Sequence, residues 1–227
     1  MWNLLSFIFN LDFVANLQQD WITAVFLILL IVIAITVCFH RKKMILVIQS
    51  VFSPRHFSLL IREGKIFNES FYILSLFIIF LSLSLFCYTL IDYFFSDYQF
   101  LFSPFLIFIF SVILIVVNYV FHLISLRLFC YLFDYQNDSY YFNFYRLLFL
   151  IINSLILFPV LLCYYYIPLK IILLIYIPVF LLLYFFIYFR IFTLKTIETN
   201  LLYFFVYFCT FEILPYFIII KFVKLLI

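Results

Sequence analysis

Between Trp21 and Ile220 the sequence is a succession of apolar runs separated by short charged stretches. Each run is about 20 residues long, the length a helix needs to cross a hydrocarbon core. An outer-membrane barrel strand is half that length and alternates apolar with polar residues, so these continuous runs exclude it. Composition points the same way, with 70% hydrophobic residues and 10% charged, against about 25% charged in ordinary globular chains. The fold class expected is all-α, a polytopic helical membrane protein.

Six spans are expected. The first runs from Trp21 to Phe39 and is bounded by Asp20 and by His40-Arg41-Lys42-Lys43. The second, Phe71 to Ile91, stops at Asp92, and the third, about Phe105 to Leu126, stops at Arg127. A fourth begins after Arg146 and ends near Tyr165, where the Tyr166-Ile167-Pro168-Leu169-Lys170 turn reverses it into a fifth, Ile171 to Phe189. One long broken segment is the alternative for that pair. The sixth runs from Leu201 to Ile220. Residues 1–20 form an N-terminal outer segment, either an interfacial helix or a disordered tail, and 21–227 form a single transmembrane domain.

Charge sets the orientation. With the N-terminus outside, Arg41, Lys42, Lys43, Arg55, Arg62, Lys65, Arg127, Arg146, Arg190 and Lys195 lie inside. Only Lys170, Lys221 and Lys224 lie outside. The positive-inside rule therefore puts both termini on the outer side.

Gly64 is the chain's single glycine. Phosphate loops, dinucleotide turns and nucleophile elbows each need several glycines at fixed offsets, and GxxxG packing needs two. The five cysteines stand singly, without metal or disulfide spacing, and read as small buried hydrophobes. No catalytic set, metal site or cofactor is expected. Nucleic acid is excluded as a partner because the tyrosine-rich 127–146 loop lacks the basic groove that base stacking accompanies. That loop, with Tyr131, Tyr135, Tyr140, Tyr141 and Tyr145, reads as an interfacial aromatic belt.

The inner loop 41–70 is the one long segment between spans. Its apolar stretches Met44–Ile48 and Phe57–Ile61, the second closed by Gly64 as a C-cap, read as two short amphipathic helices on the inner leaflet. Arg55, Arg62, Glu63 and Lys65 form a candidate docking surface for a cytoplasmic partner or an anionic headgroup. The plainer reading is a leaflet anchor with no specific partner.

Ionisable or strongly polar groups within spans are costly and mark candidate sites. Glu212 lies in the sixth span, followed at helical spacing by Pro215 and Tyr216. On the third span Ser111, Asn118, His122 and Ser125 share a face, and Asn153 lies in the fourth. Glu212, Pro215, Tyr216, Asn153, His122 and Asn118 make up a candidate intramembrane polar site. Its alternative is a set of structural hydrogen bonds between helices. Ser75, Ser82 and Thr89, seven residues apart, are expected at a close helix contact.

Two stretches carry a resemblance: Phe52-Ser53-Pro54-Arg55-His56-Phe57 through Leu60-Ile61-Arg62-Glu63, and Tyr203 through Cys209-Thr210-Phe211-Glu212-Ile213-Leu214-Pro215. Asn153–Pro159 fits more loosely. Over nearly its whole length the chain resembles a family of Bacteroidota integral membrane proteins known as domain of unknown function 4271. The resemblance implies a bacterial inner-membrane protein with Arg55, Arg62, Glu63, Glu212 and Pro215 at motif positions. It implies no activity. An organelle-encoded respiratory subunit from an AT-rich genome is the competing source for 37 Phe and 19 Tyr.

Three functions follow in order: a non-enzymatic scaffold or accessory subunit docking a partner through 41–70, a small transporter or lipid-ligand carrier around Glu212, and an intramembrane enzyme. The bilayer is the one partner common to all.

Overall fold

The computed structural model describes residues 20–53, 56, 70–94, 103–132 and 139–167, together with 172, 175, 176, 178–180 and 182. Four helices organise them: α1 (Asp20–Phe52), α2 (Ser70–Phe94), α3 (Pro104–Leu132) and α4 (Ser139–Tyr166). All four are long and apolar enough to cross a membrane, and no strand occurs among the described residues.

Ring and hydroxyl contacts give the topology. Trp21 at the start of α1 packs edge-on against Tyr88 near the end of α2 and against Phe105 at the start of α3. Phe26 packs on Tyr165 and Tyr166 at the end of α4, and the Tyr166 hydroxyl donates to Thr23 Oγ1 at 3.1 Å. At the opposite end His40 of α1 bonds Ser70 of α2, and Tyr72 of α2 meets Tyr119 of α3. The helices therefore run alternately up and down.

Helix α2 is central and packs on α1, α3 and α4. Its sequence provides for that position with small hydroxyls. Ser75, Ser82 and Thr89 are all buried, as the seven-residue spacing predicts, and Ser84 joins them. Each bonds a carbonyl three or four residues back, as Ser75 does to Phe71 at 2.7 Å and Thr89 to Phe86 at 2.7 Å. A hydroxyl satisfied within its own helix leaves a small, apolar-like surface against which a neighbour packs closely. The larger side chains interleave around these positions, with Ile22, Phe26, Leu85, Tyr88, Phe108, Leu157 and Leu161 forming one core cluster. Helix α3 is peripheral: Phe110, Ile113, Val117, Val120 and Ile124 are exposed along its outer face, an arrangement suited to lipid.

Three boundaries differ from the sequence reading. First, the chain does not leave the helix at His40. It kinks there, with φ −125° and ψ 33°, and continues helically to Phe52. Met44, Val47 and Ser50 are buried along the continuation, so packing on the bundle carries the helix past Arg41-Lys42-Lys43. The first of the two expected loop helices is thus an extension of α1, and the second, near Phe57–Gly64, lies outside the described residues. Second, α3 runs through Arg127 to Leu132. Third, α4 starts at Ser139, so Arg146 stands inside a helix and not before one.

These extensions overturn the aromatic belt as a loop feature. Tyr131 is exposed on α3, whereas Tyr145 is buried in α4. Tyr140 also falls within α4, and Tyr135 lies outside the described residues. A long basic side chain can reach the headgroups while its helix continues, which is why Arg127 and Arg146 are poor stop signals.

Helix α4 ends as expected at Tyr166, with the Ile167 amide bonded to Cys163 O at 2.9 Å. The described residues that follow are helical and return along α4. Tyr176 reaches Asn153, and four residues on Phe180 packs on Phe149. The direction of that return is antiparallel to α4. The sixth expected span lies outside the described residues.

Candidate functional site

The expected polar site is described in part. Ser111, His122 and Ser125 are buried on one face of α3, with Asn118 half-buried beside them, as the spacing requires. Ser111 and Ser125 bond the carbonyls of Ile107 and Phe121, which makes them packing residues. His122 is 0% exposed and its ring lies edge-on to Phe121. Asn153 of α4 is 1% exposed. Its Oδ1 accepts a hydrogen bond of 2.5 Å from the Tyr176 hydroxyl, while its Nδ2 has no partner. Asn118 Oδ1 is likewise buried without a partner. Glu212, Pro215 and Tyr216 lie outside the described residues.

Asn153 is therefore tied to the segment following α4, a contact that sequence spacing does not reveal. The bond is local chemistry: a neutral amide carbonyl and a phenol suit each other in a low-dielectric interior. The Tyr176 ring also packs edge-on against Phe86 of α2. Asn153 thus joins α4, the returning segment and, through the ring, α2.

A second group of polar residues gathers where α1 kinks, α2 begins and α4 begins. His40 Nε2 and Ser70 Oγ are 3.0 Å apart, and the His40 ring lies against Phe71. Tyr72 and Tyr119 share a hydroxyl–hydroxyl hydrogen bond of 3.0 Å. The Tyr119 ring is held edge-on by Phe80, and Arg146 of α4 lies over it at 6.0 Å. In the sequence His40 and Arg146 stand out only as boundaries of apolar runs, and Tyr72 and Tyr119 do not stand out at all. Helical continuation past Arg127 would bring α3 and α4 together at this end, but the lone cation at the edge of an apolar run does not announce it.

Charges are segregated between the ends. Arg41, Lys42 and Arg127 are exposed at the end that holds this group, and Lys43 and Arg146 are half-buried there. Asp92 stands at the far end of α2, and Asp20 begins α1 at that same end. Of the loop residues expected to dock a partner, Arg55, Arg62, Glu63 and Lys65 lie outside the described residues. Among the described residues no three His, Cys, Asp or Glu side chains gather as a metal set. Cys38 is exposed on α1, not buried as its apolar setting suggests, and Cys87 and Cys163 are half-buried free thiols.

Alternating apolar helices, closed hydroxyls and charge at one end define a polytopic α-helical bundle of membrane type. More particularly, the chain belongs to the family described as Domain of unknown function (DUF4271), whose family model matches residues 22–223. No curated protein and no solved structure matches the chain.

Proposed function

We propose that the chain is a six-span integral protein of a bacterial inner membrane, with both termini on the outer side, acting as a non-enzymatic scaffold or accessory subunit. Its partner docks on the inner loop that α1 enters. The observation that carries this reading is the kinked extension of α1. Beyond His40 one face, Met44, Val47 and Ser50, is buried, and the other presents Arg41, Lys42, Ile45, Ile48 and Gln49. A helix anchored on one face and displaying apolar and cationic side chains on the other is pre-organised for binding, which lowers the ordering cost of association. Arg55, Arg62, Glu63 and Lys65 continue the same segment. The segregation of described cations to this end supports its placement inside.

Affinity purification from mild detergent tests the reading. A stoichiometric partner should be recovered with the wild-type chain and lost with R41Q/K42Q/I45S. Recovery of the chain alone from its native membrane would overturn it.

A second reading, a small transporter or lipid-ligand carrier, draws on Asn118 Oδ1 and Asn153 Nδ2, polar atoms buried without partners. Such atoms cost free energy unless a ligand or water meets them. On this reading Glu212 completes the pocket. Knockout rescue by Glu212→Gln would reject it.

A further inference from the structure

Beyond the His40 kink, α1 offers a surface with the layout of a small protein interface. Its exposed positions are Arg41, Lys42, Ile45, Ile48 and Gln49, and steps of one, four, seven and eight residues put them on one side of a helix. Ile45 is 44% exposed and Ile48 48%. Arg41, Lys42 and Gln49 border this pair, so an apolar centre sits within a polar rim, as at protein contacts. A helix lying on a leaflet divides its side chains differently, with cations on the face opposite the apolar one. Here the opposite face is already taken, because Met44, Val47 and Ser50 are buried.

The surface is held in place. Ser50 Oγ donates to Val47 O at 2.6 Å and the Ser53 amide to Gln49 O at 3.0 Å, so the helix stays closed to its last turn. From Arg41 to Gln49 the face is about 12 Å long. A standard interface takes roughly 800 Å² from each partner, and two turns of one helix face offer much less. The match in size is a single helix, which uses anchors three and four residues apart. Charge is one-sided as well. Lys43 and Arg127 stand at the same end, whereas Asp20 and Asp92, the acidic residues of α1 to α4, belong to the other.

We propose that this face docks an acidic amphipathic helix of a partner protein. The partner's apolar stripe covers Ile45 and Ile48, and its carboxylates meet Arg41 and Lys42. A guanidinium takes a carboxylate through two parallel N–H bonds and so fixes the register, while the ammonium adds a point charge beside it. The inference rests on the partner-docking reading and names the chemistry of the element that docks.

The test adds a fluorescent amphipathic peptide to the purified full chain in lipid nanodiscs and reads anisotropy. The peptide carries leucines three and four residues apart with glutamates beside them. The wild type should bind it, and should bind versions with glutamine or lysine for glutamate about tenfold more weakly. R41Q/K42Q and I45S/I48S should each weaken the acidic peptide by about tenfold or more, whereas R127Q on α3 should leave it unchanged. R41E/K42E should switch the preference to the lysine peptide, an exchange that a misfolded variant does not produce. Equal binding of the acidic and glutamine peptides, or no binding, would overturn the proposal. So would quenching of a fluorophore at position 48 by brominated lipid that the acidic peptide fails to relieve, because the leaflet would then be the occupant. If the chain comes from its native membrane without a partner, the docking reading falls. If a partner is recovered that the acidic peptide does not displace, only this inference falls.

Discussion

His40 and Ser70, thirty residues apart, meet through a 3.0 Å hydrogen bond that ties the kink in α1 to the first residue of α2. The bond fixes where the α1 extension leaves the direction of its span. S70A removes the hydroxyl and leaves the imidazole without this partner. It should lower stability by about 0.5–1.5 kcal/mol, the net worth of one such bond. Denaturation in detergent checks the size. Spin labels at positions 30 and 48 check the geometry, since their distance distribution should broaden in S70A.

The Asn153–Tyr176 pair should behave as a coupled unit. Y176F leaves Asn153 Oδ1 buried without its donor, at a cost of about 1–3 kcal/mol. In N153L/Y176F both polar partners are gone, so the double variant should cost less than the sum of the singles. A double-mutant cycle on unfolding free energy measures the difference. Additive values would remove the pair as a structural tie.

Ser82 separates volume from hydrogen bonding. Its hydroxyl bonds the Ile79 carbonyl of its own helix, and the residue is 0% exposed. S82A should therefore change stability by less than about 0.5 kcal/mol. S82L overfills the same contact and should cost about 1–3 kcal/mol. Melting temperatures of the two variants in one detergent make the comparison.

Tyr145 and Tyr131 should part company. Tyr145 is buried at 5% exposure, whereas Tyr131 is 73% exposed. Y145A should cost about 3–5 kcal/mol, as deletion of a buried aromatic does. Y131A should be nearly neutral to unfolding. Similar values for the two would return Tyr145 to an interfacial role.

What the sequence makes legible is the periodic part of this fold. Trp21, Phe71 and Tyr166 lie at or next to helix ends because the length of an apolar run is a local signal. The buried face of Ser75, Ser82 and Thr89 is legible because a seven-residue spacing maps onto one side of a helix. Boundaries at cations are harder. Arg127 and Arg146 look like stops, yet a side chain long enough to reach water places no limit on its helix. His40 gives no local warning of a kink because the partner that accompanies it, Ser70, is remote in the chain. The candidate site divides the same way: the shared face of Ser111, Asn118, His122 and Ser125 follows from spacing, whereas Tyr176 as the partner of Asn153, and Tyr119 beneath Arg146, depend on which helices become neighbours.

The self-bonded hydroxyls also bear on how the protein is made. Thr36, Ser75, Ser82, Thr89, Ser111 and Ser125 each settle their donor within one turn of their own helix. Helices α1, α2 and α3 can therefore enter the bilayer singly, with these hydroxyls costing little before any neighbour arrives. Helix α4 carries in addition Asn153, whose Oδ1 takes its donor from Tyr176, a residue that follows the helix in the chain. Asn153 therefore meets its partner only after α4 itself has been made.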